Sequence, residues 1–195
     1  MKFDFRGRHA IQIPMTISPL YVALDTTDLE KACELSLALA PHVAGVKLGL
    51  EFYTARGRAG IERVMETGVK VFLDLKLHDI PNTVDKAIRA LAGLPVHILT
   101  IHAAGGQEMI ARAAKAAKSL EESGQARPLI IAVTVLTSLD QGDLQAIGFA
   151  DGLEAQAVRL AQLAQGAGAG GIVCSPHEIA AIRKACGEDF VTVVP

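Results

Sequence analysis

The sequence predicts an α/β fold in which buried parallel strands alternate with helices. Short apolar runs rich in Val, Ile and Leu indicate buried strands, and the longer stretches between them, which mix Ala, Leu and charged residues, indicate helices. A helix between two strands returns the chain to the same edge of the sheet, so consecutive strands run parallel. The chain has 195 residues, of which 50% are hydrophobic and 21% are charged, as is typical of a globular domain.

The apolar runs place the elements along the chain in order. Strands are expected near 20–25, 44–49, 69–75, 96–102, 128–135, 171–174 and 190–194, and helices near 28–40, 51–67, 82–93, 106–123, 153–166 and 176–186. In the third helix, Val84, Ile88 and Leu91 recur at helical spacing and form one apolar face. Asp28 is the expected N-cap of the first helix, and Pro176 lies where the last helix begins.

Polar residues at the strand ends distinguish between two parallel-sheet architectures. An open doubly wound sheet concentrates its functional residues at one switch point, whereas a (β/α)8 barrel carries them at the C-terminal ends of many strands. Several predicted strands lead into a polar residue, namely Asp25, Asp74, His102, Ser138 and Ser175. This distribution favours a (β/α)8 TIM barrel, a single domain over 1–195 that begins at about residue 18 after an N-terminal extension over 1–14.

Composition and processing signals exclude several classes of protein. The formal net charge of −2 argues against a strongly basic nucleic-acid-binding protein. No apolar run reaches the length of a membrane span, and residues 1–14 lack the continuous apolar region of a secretory signal. The cysteines are widely spaced and form no CxxC pair, as expected of reduced thiols. We therefore expect a cytoplasmic protein with neither a nucleic-acid partner nor a membrane partner.

The glycine-rich segment 166–171 contains a formal GxGxxG match. A dinucleotide-binding fingerprint follows a strand and opens a helix, whereas this segment follows a predicted helix and precedes a predicted strand. We interpret it as a helix C-cap and a turn, and we predict no dinucleotide cofactor.

The most informative stretch is 72–83, which ends the third predicted strand and begins the next helix. Asp74 and Lys76 lie on one face of that strand, because alternate residues share a face. A lysine inside an apolar strand needs a partner, and Lys47 of the second strand can lie beside Asp74 if the two strands are neighbours. With Asp79 in the following loop, the sequence predicts a row of alternating charges, Lys47–Asp74–Lys76–Asp79, flanked by Asp25.

Two interpretations of this row remain open from the residues alone. A salt bridge at a strand end, without chemistry, explains the DxKxxD spacing as well as a catalytic site does. A fixed ammonium group beside carboxylates also suits a reaction that expels a neutral group from an anionic substrate and protonates the carbanion left behind. We interpret His102, at the end of the fourth strand, as a structural histidine rather than a catalytic or metal-binding one.

The chain resembles the orotidine 5′-phosphate decarboxylase family from about residue 20 to its last residue. The matching segments are VALD at 22–25, VKLG at 46–49, FLDLK with HDIPNT within 72–83, HAAGG at 102–106 and AVTVLTS at 132–138. VCS at 173–175 and VVP at 193–195 are similar as well. The segment 72–83 is far more specific than a DxKxxD spacing alone.

The resemblance implies a homodimeric (β/α)8 barrel that decarboxylates orotidine 5′-phosphate to UMP in pyrimidine biosynthesis, without a metal or an organic cofactor. It implies that Lys76 protonates C6 of the pyrimidine after CO2 leaves, and that Asp74 lies against the substrate carboxylate. Lys47 and Asp25 match residues that hold the ribose hydroxyls and complete the charge row.

Other residues match positions that contact the nucleotide or the partner subunit. Asp79, Ile80 and Thr83 match residues that reach into the site of the partner subunit, so the two active sites of the homodimer would be shared. Thr137 and Ser138 match the end of the fifth strand, where Ser138 would contact the pyrimidine ring.

The resemblance ends where the phosphate-binding loop of family members begins. Pro195, which we assign to the substrate site, is the last residue of the sequence. From the resemblance, we expect strand 8, the final helix and the phosphate-binding arginine to lie outside it. A barrel open after seven strands would expose strand edges. We therefore expect an incomplete (β/α)8 barrel.

Two other functions fit part of these observations. Mg2+-dependent sugar-phosphate decarboxylases and aldolases share this barrel and a similar motif, but they typically have an acidic metal ligand at the position of Lys47. A non-catalytic nucleotide-binding protein would bind its ligand without turnover.

Overall fold

The computed structural model describes residues 19–195. Its strands are β1 (Tyr21–Ala23), β2 (Gly45–Gly49), β3 (Val71–Leu77), β4 (Ile98–His102), β5 (Leu129–Val133), β6 (Gly171–Val173) and β7 (Val191–Val193). Its α-helices are α1 (Leu29–Leu39), α2 (Leu50–Met65), α3 (Pro81–Arg89), α4 (Gln107–Glu122), α5 (Gln141–Ala146), α6 (Leu153–Gly166) and α7 (Ile179–Cys186). The extension predicted over residues 1–14 lies outside the described residues.

The strands form one parallel sheet in chain order, from β1 at one edge to β7 at the other. A doubly wound sheet reverses its strand order at a switch point, and the order observed here contains no such reversal. The α/β barrel prediction is therefore confirmed, with seven of its eight strands present in the described residues.

Contacts across one face show that the sheet is curled. The Tyr21 hydroxyl hydrogen-bonds to Nδ1 of His97, the residue before β4, and the Tyr21 ring packs edge-on against Phe72 with the ring centroids 5.7 Å apart. In a flat sheet β1 and β4 lie three strand spacings apart, which is roughly 14 Å. A tyrosine side chain closes that distance only if the strands bend towards one another, as in the wall of a barrel.

The sheet separates two apolar cores. Alternate strand residues such as Val46, Leu73 and Ile101 pack with buried helix residues such as Phe52 and Ile110 in the outer core. The inner core contains strand residues alone: Phe72, Ile98 and Ile131 are buried there, with Tyr21, Leu129, Val173 and Val193 packed against them. This second cluster marks the concave, barrel-interior face of the sheet.

Local signals explain several helix boundaries. Asp28 caps α1 by accepting a hydrogen bond from the Lys31 N–H at 3.2 Å, as predicted. The glycine segment is the predicted turn, because α6 ends at Gly166 and Gly168 has a φ of +89° before β6 begins. Pro176 begins a short 3-10 helix, Pro176–Glu178, that leads into α7 rather than beginning an α-helix itself.

The helix α5 was not predicted from the sequence. It is only six residues long, yet its start has a recognisable signal. Asp140 accepts a hydrogen bond from the Asp143 N–H, and the Asp143 carboxylate accepts one from the Asp140 N–H, which forms a capping box.

Candidate active site

The strand register brings Lys47 and Asp74 together on the barrel-interior face. Gly49 pairs with Asp74 and Lys47 pairs with Phe72, so Lys47, Phe72 and Asp74 share one face of the sheet. The Nζ atom of Lys47 lies 3.4 Å from Oδ2 of Asp74. The predicted pairing of a lysine in the second strand with the aspartate in the third is therefore confirmed.

Lys76 approaches the same carboxylate oxygen from its own strand. Its Nζ atom lies 2.8 Å from Oδ2 of Asp74, so two ammonium groups converge on one oxygen atom. Lys76 has a φ of +49°, and it is the one non-glycine residue with a positive φ within residues 19–195. Such a backbone costs about 1–2 kcal/mol for a residue with a Cβ, so the surrounding contacts must hold it in place.

Thr100 completes this cluster, and the sequence reasoning did not find it. Its side chain is fully buried on β4, and its hydroxyl donates to Oδ1 of Asp74 at 2.8 Å. The same hydroxyl oxygen accepts a hydrogen bond from the Lys76 backbone N–H at 2.9 Å. A signal was available, because Thr100 is a polar residue within an apolar strand, two positions before His102 and on the same face.

The environment of Asp74 keeps its carboxyl group ionised. Burial by itself raises the pKa of this carboxyl group, which is only 8% exposed. Hydrogen bonds from Lys76 and Thr100 and the positive charges of Lys76 and Lys47 outweigh that effect and hold the Asp74 pKa below its usual range. The two lysine side chains remain partly open to solvent, at 27% and 32% exposure, so a ligand can reach them.

Asp79 does not join the charge row within this chain. After β3 the chain turns into α3, and the Asp79 carboxylate accepts a hydrogen bond from the adjacent Ile80 N–H at 2.7 Å. Asp79 makes no ion pair with a described residue, and its side chain is exposed. Ile80 is 66% exposed, and Thr83 is exposed in the first turn of α3. The three residues expected to reach a partner subunit thus form one outward-facing segment.

The remaining predicted residues follow the C-terminal ends of other strands, at the edge of the sheet that carries the charge row. Asp25 follows β1 and is exposed, next to Leu24, whose N–H donates to the Lys47 carbonyl at 3.0 Å. Thr137 and Ser138 lie in an exposed turn after β5, and Pro195 is exposed after β7. Among the described residues, none of these four makes a side-chain hydrogen bond or ion pair with Lys47, Asp74 or Lys76.

His102 lies at the same edge and stacks obliquely against His78, with the ring centroids 5.3 Å apart. Burial lowers the pKa of His102, and the positive charges of His78 and Lys76 lower it further, while Asp74 opposes the shift. Over residues 19–195, no three His, Cys, Asp or Glu side chains form a group that could hold a metal ion.

These features define the class of the protein. A parallel β/α barrel with its charged residues at the C-terminal strand ends is the architecture of a barrel enzyme. The sequence profile of the orotidine 5′-phosphate decarboxylase / HUMPS family matches residues 18–195. The chain belongs to this family, and the resemblance stated from its motifs is confirmed.

Individual relatives agree with this assignment. The orotidine 5′-phosphate decarboxylase of Paramagnetospirillum magneticum is 51% identical over 180 residues, which cover 92% of this chain and 77% of the relative. The crystal structure of orotidine 5′-phosphate decarboxylase from Lactobacillus acidophilus superposes with a TM-score of 0.83 at 36% identity, covering 91% of this chain and 80% of that one. The chain thus spans about three quarters of the length of the relatives it matches.

A more distant structure shares the fold. Orotidine 5′-monophosphate decarboxylase from Methanocaldococcus jannaschii, solved in complex with the inhibitor BMP, has a TM-score of 0.75 at 21% identity. The match covers 92% of this chain and 78% of that one. In this chain, no helix within residues 19–195 is long and apolar enough to cross a membrane.

Proposed function

We propose that this chain carries the decarboxylation of orotidine 5′-phosphate to UMP, the reaction for which its 51% identical relative is named. The observation that carries the proposal is the cluster in which Lys47 and Lys76 converge on the buried Asp74 carboxylate. A plain strand-end salt bridge needs one cation. The second ammonium and the strained Lys76 backbone instead suit a site prepared for charge that develops during a reaction.

In this proposal Lys76 is the proton donor. The bond between C6 and the carboxylate carbon breaks, CO2 leaves, and the electron pair stays on C6. An N–H proton of the Lys76 ammonium then moves to C6, which forms UMP, and the neutral amine takes up a proton from water. A fixed cation next to the developing carbanion stabilises the transition state without moving at the moment of reaction.

Asp74 has two roles in the same step. Its carboxylate holds the Lys76 ammonium in place through the 2.8 Å hydrogen bond. It also places a negative charge where the substrate carboxylate would lie, so the like-charge repulsion is released when neutral CO2 departs. The low pKa of Asp74 supports this role, because a protonated carboxyl group would not repel the substrate.

The partner subunit enters the proposal through the segment Asp79–Thr83. This segment lies outside the charge row of its own chain and exposes the large apolar side chain of Ile80. We propose a homodimer in which Asp79, Ile80 and Thr83 complete the site of the partner, while Asp25, Thr137, Ser138 and Pro195 contact the nucleotide on their own side. A cytoplasmic location in pyrimidine biosynthesis follows from this function.

The test is an assay of the conversion of orotidine 5′-phosphate to UMP by the chain and by its Lys76→Ala variant. We expect turnover by the chain and a loss of at least about 1,000-fold in the variant, because its C6 carbanion loses both the cation and the proton donor. A matched control is Lys70→Ala, which removes a lysine just before β3 at the opposite end of the barrel. Full turnover by the Lys76→Ala variant would refute the mechanism.

Adding a metal chelator to the same assay tests the magnesium-dependent alternative. The Lys47 ammonium lies 3.4 Å from Asp74, where that alternative needs an acidic metal ligand, and a cation there repels Mg2+. We therefore expect turnover to be unchanged by the chelator, with no organic cofactor required. Ligand binding without turnover would instead indicate a nucleotide-binding protein.

Mixing two inactive variants tests the shared site. A hybrid of Lys76→Ala and Asp79→Ala subunits contains one site that lacks both residues and one that has both, so mixing should restore part of the activity. Failure to restore activity, after subunit exchange has been demonstrated by mass spectrometry, would count against a shared site.

A further inference from the structure

The strands β3 and β4 pair irregularly beside the charge row. Leu73 pairs with Leu99, and the next pair is Leu77 with Ile101. Three residues of β3 therefore lie opposite the single residue Thr100 of β4. Such a bulge removes regular backbone hydrogen bonds and redirects the side chains that it carries.

The Thr100 hydroxyl replaces a backbone hydrogen bond that the bulge removes between β3 and β4. The Lys76 N–H, which has no regular partner across the bulge, donates to the Thr100 oxygen at 2.9 Å. An unpaired backbone N–H at this depth would cost about 1–3 kcal/mol, so the hydroxyl stabilises the left-handed conformation of Lys76. That backbone conformation sets the direction of the Cα–Cβ bond of Lys76, and with it the position of the side chain.

The same hydroxyl also determines the orientation of Asp74. Oδ2 of the carboxylate receives both ammonium groups, and Oδ1 receives the Thr100 hydroxyl proton at 2.8 Å. With a donor assigned to each oxygen, rotation of the carboxylate about its bond to Cβ would break a hydrogen bond. Thr100 thus holds the aspartate side chain and the lysine backbone through one buried group.

We propose that Thr100 is a positioning residue for the Lys76–Asp74 pair, and that its hydroxyl keeps the ammonium in the geometry needed for proton transfer. The proposal rests on the function proposed above, because its kinetic consequence is read in that reaction. Thr100 would not touch the substrate. Its effect is therefore on kcat, through the position of Lys76, rather than on the binding of the nucleotide.

The test compares Thr100→Val with Thr100→Ser. Valine has nearly the same shape but no hydroxyl, and serine keeps the hydroxyl. A displacement of about 1 Å in a catalytic group can cost about 100-fold in rate, so we expect Thr100→Val to lower kcat by about 100-fold with KM changed less than about threefold. Thr100→Ser should stay within about threefold of the unaltered chain, because it restores both hydrogen bonds.

The matched control is Thr134→Val. Thr134 is also buried, just after β5, and its hydroxyl donates to the Val173 carbonyl at 2.8 Å rather than to the charge row. If the loss in Thr100→Val came only from removing a buried hydroxyl, both variants would lose similar thermal stability and similar kcat. We expect similar losses of stability but a loss of kcat in Thr100→Val alone.

A second measurement does not depend on turnover. The pKa of the Asp74 carboxyl, followed by 13C NMR, should rise in Thr100→Val and stay unchanged in Thr100→Ser and Thr134→Val, since the hydroxyl helps to hold this pKa low. An unaltered chain without turnover would refute the proposed function, while the NMR comparison would still decide the role of Thr100. Unchanged kcat and unchanged Asp74 pKa in Thr100→Val would overturn the proposal.

Discussion

The inner face of the barrel has an apolar layer and a charged layer, which lie only two residues apart along β3 and β4. Towards the N-terminal ends lie Phe72 and Ile98, which are 3% and 5% exposed and pack with other apolar strand residues. Two positions further along the same strands lie Asp74 and Thr100, which belong to the charged cluster. Because side chains repeat every two residues on a strand face, one pleat separates the two layers.

One sheet thus provides both stability and a strained polar site. The apolar layer and the outer core bury enough surface to hold the strands in register. That register, in turn, holds the charged layer in a conformation that its own residues do not favour, as the φ of +49° at Lys76 illustrates. Substitutions in the apolar layer should therefore mainly lower the free energy of unfolding, whereas substitutions in the charged layer should mainly lower kcat.

The largest effect on stability is expected from Phe72→Ala in the apolar layer. Truncating a buried phenylalanine leaves a cavity and typically costs about 3–5 kcal/mol of unfolding free energy. The kcat of the folded variant should change by less than about tenfold, since the charged layer keeps its own contacts. Urea denaturation and the decarboxylation assay measure the two quantities.

Two further variants keep this test informative. Phe72→Leu, which costs about 1 kcal/mol, replaces the alanine variant if that one does not fold. Phe52→Ala, in the outer core, is the matched control for losing a buried ring on the other side of the sheet. A loss of kcat of more than about 100-fold in folded Phe72→Leu would show that the layers are not independent.

A smaller effect is expected from comparing Lys76→Gly with Lys76→Ala. Both variants remove the ammonium group, so their difference isolates the cost of a Cβ at a positive φ. We expect the glycine variant to be more stable by about 1 kcal/mol in urea denaturation. At Leu75, which is not among the positive-φ residues, the same pair should show the reverse order. Equal stability of the two Lys76 variants would mean that the backbone relaxes once the side chain is lost.

The sequence predicted the parts of this molecule that depend on periodicity. The seven strands, their parallel arrangement and the Lys47–Asp74 pairing follow from alternation within strands and from helices between them. It did not predict the bulge at Lys76, because a positive φ at a lysine has no local signal and is imposed by β4. Thr100 did carry a signal, as a polar residue within an apolar strand, but its role depends on the bulge that brings the Lys76 N–H to its hydroxyl.

The position of Asp79 illustrates a second limit. Spacing along the chain suggested a fourth member of the charge row, but the turn after β3 directs Asp79 to the Ile80 N–H and to solvent. A linear motif does not distinguish a residue that serves its own site from one that could serve a partner's. Only the folded turn after β3 shows that Asp79 lies away from the charge row of its own chain.

The smallest effect is expected in the titration of two histidines, one beside each layer. Burial lowers the pKa of both His97, beside Tyr21, and His102, above the charged layer. The unfolded chain therefore takes up protons first as the pH falls. The stability associated with each neutral imidazole is complete above about pH 6.5 and is lost as the pH falls from there through the lowered pKa of the folded state.

Proton NMR titration should separate the two sites. Lys76 contributes to the low pKa of His102, and Lys70 contributes to that of His97. Lys76→Ala should therefore raise the pKa of His102 and leave that of His97 unchanged, and Lys70→Ala should do the reverse. If Lys76→Ala changed the pKa values of His97 and His102 equally, the charge of Lys76 would affect both layers alike. The two layers would then not be electrostatically separate.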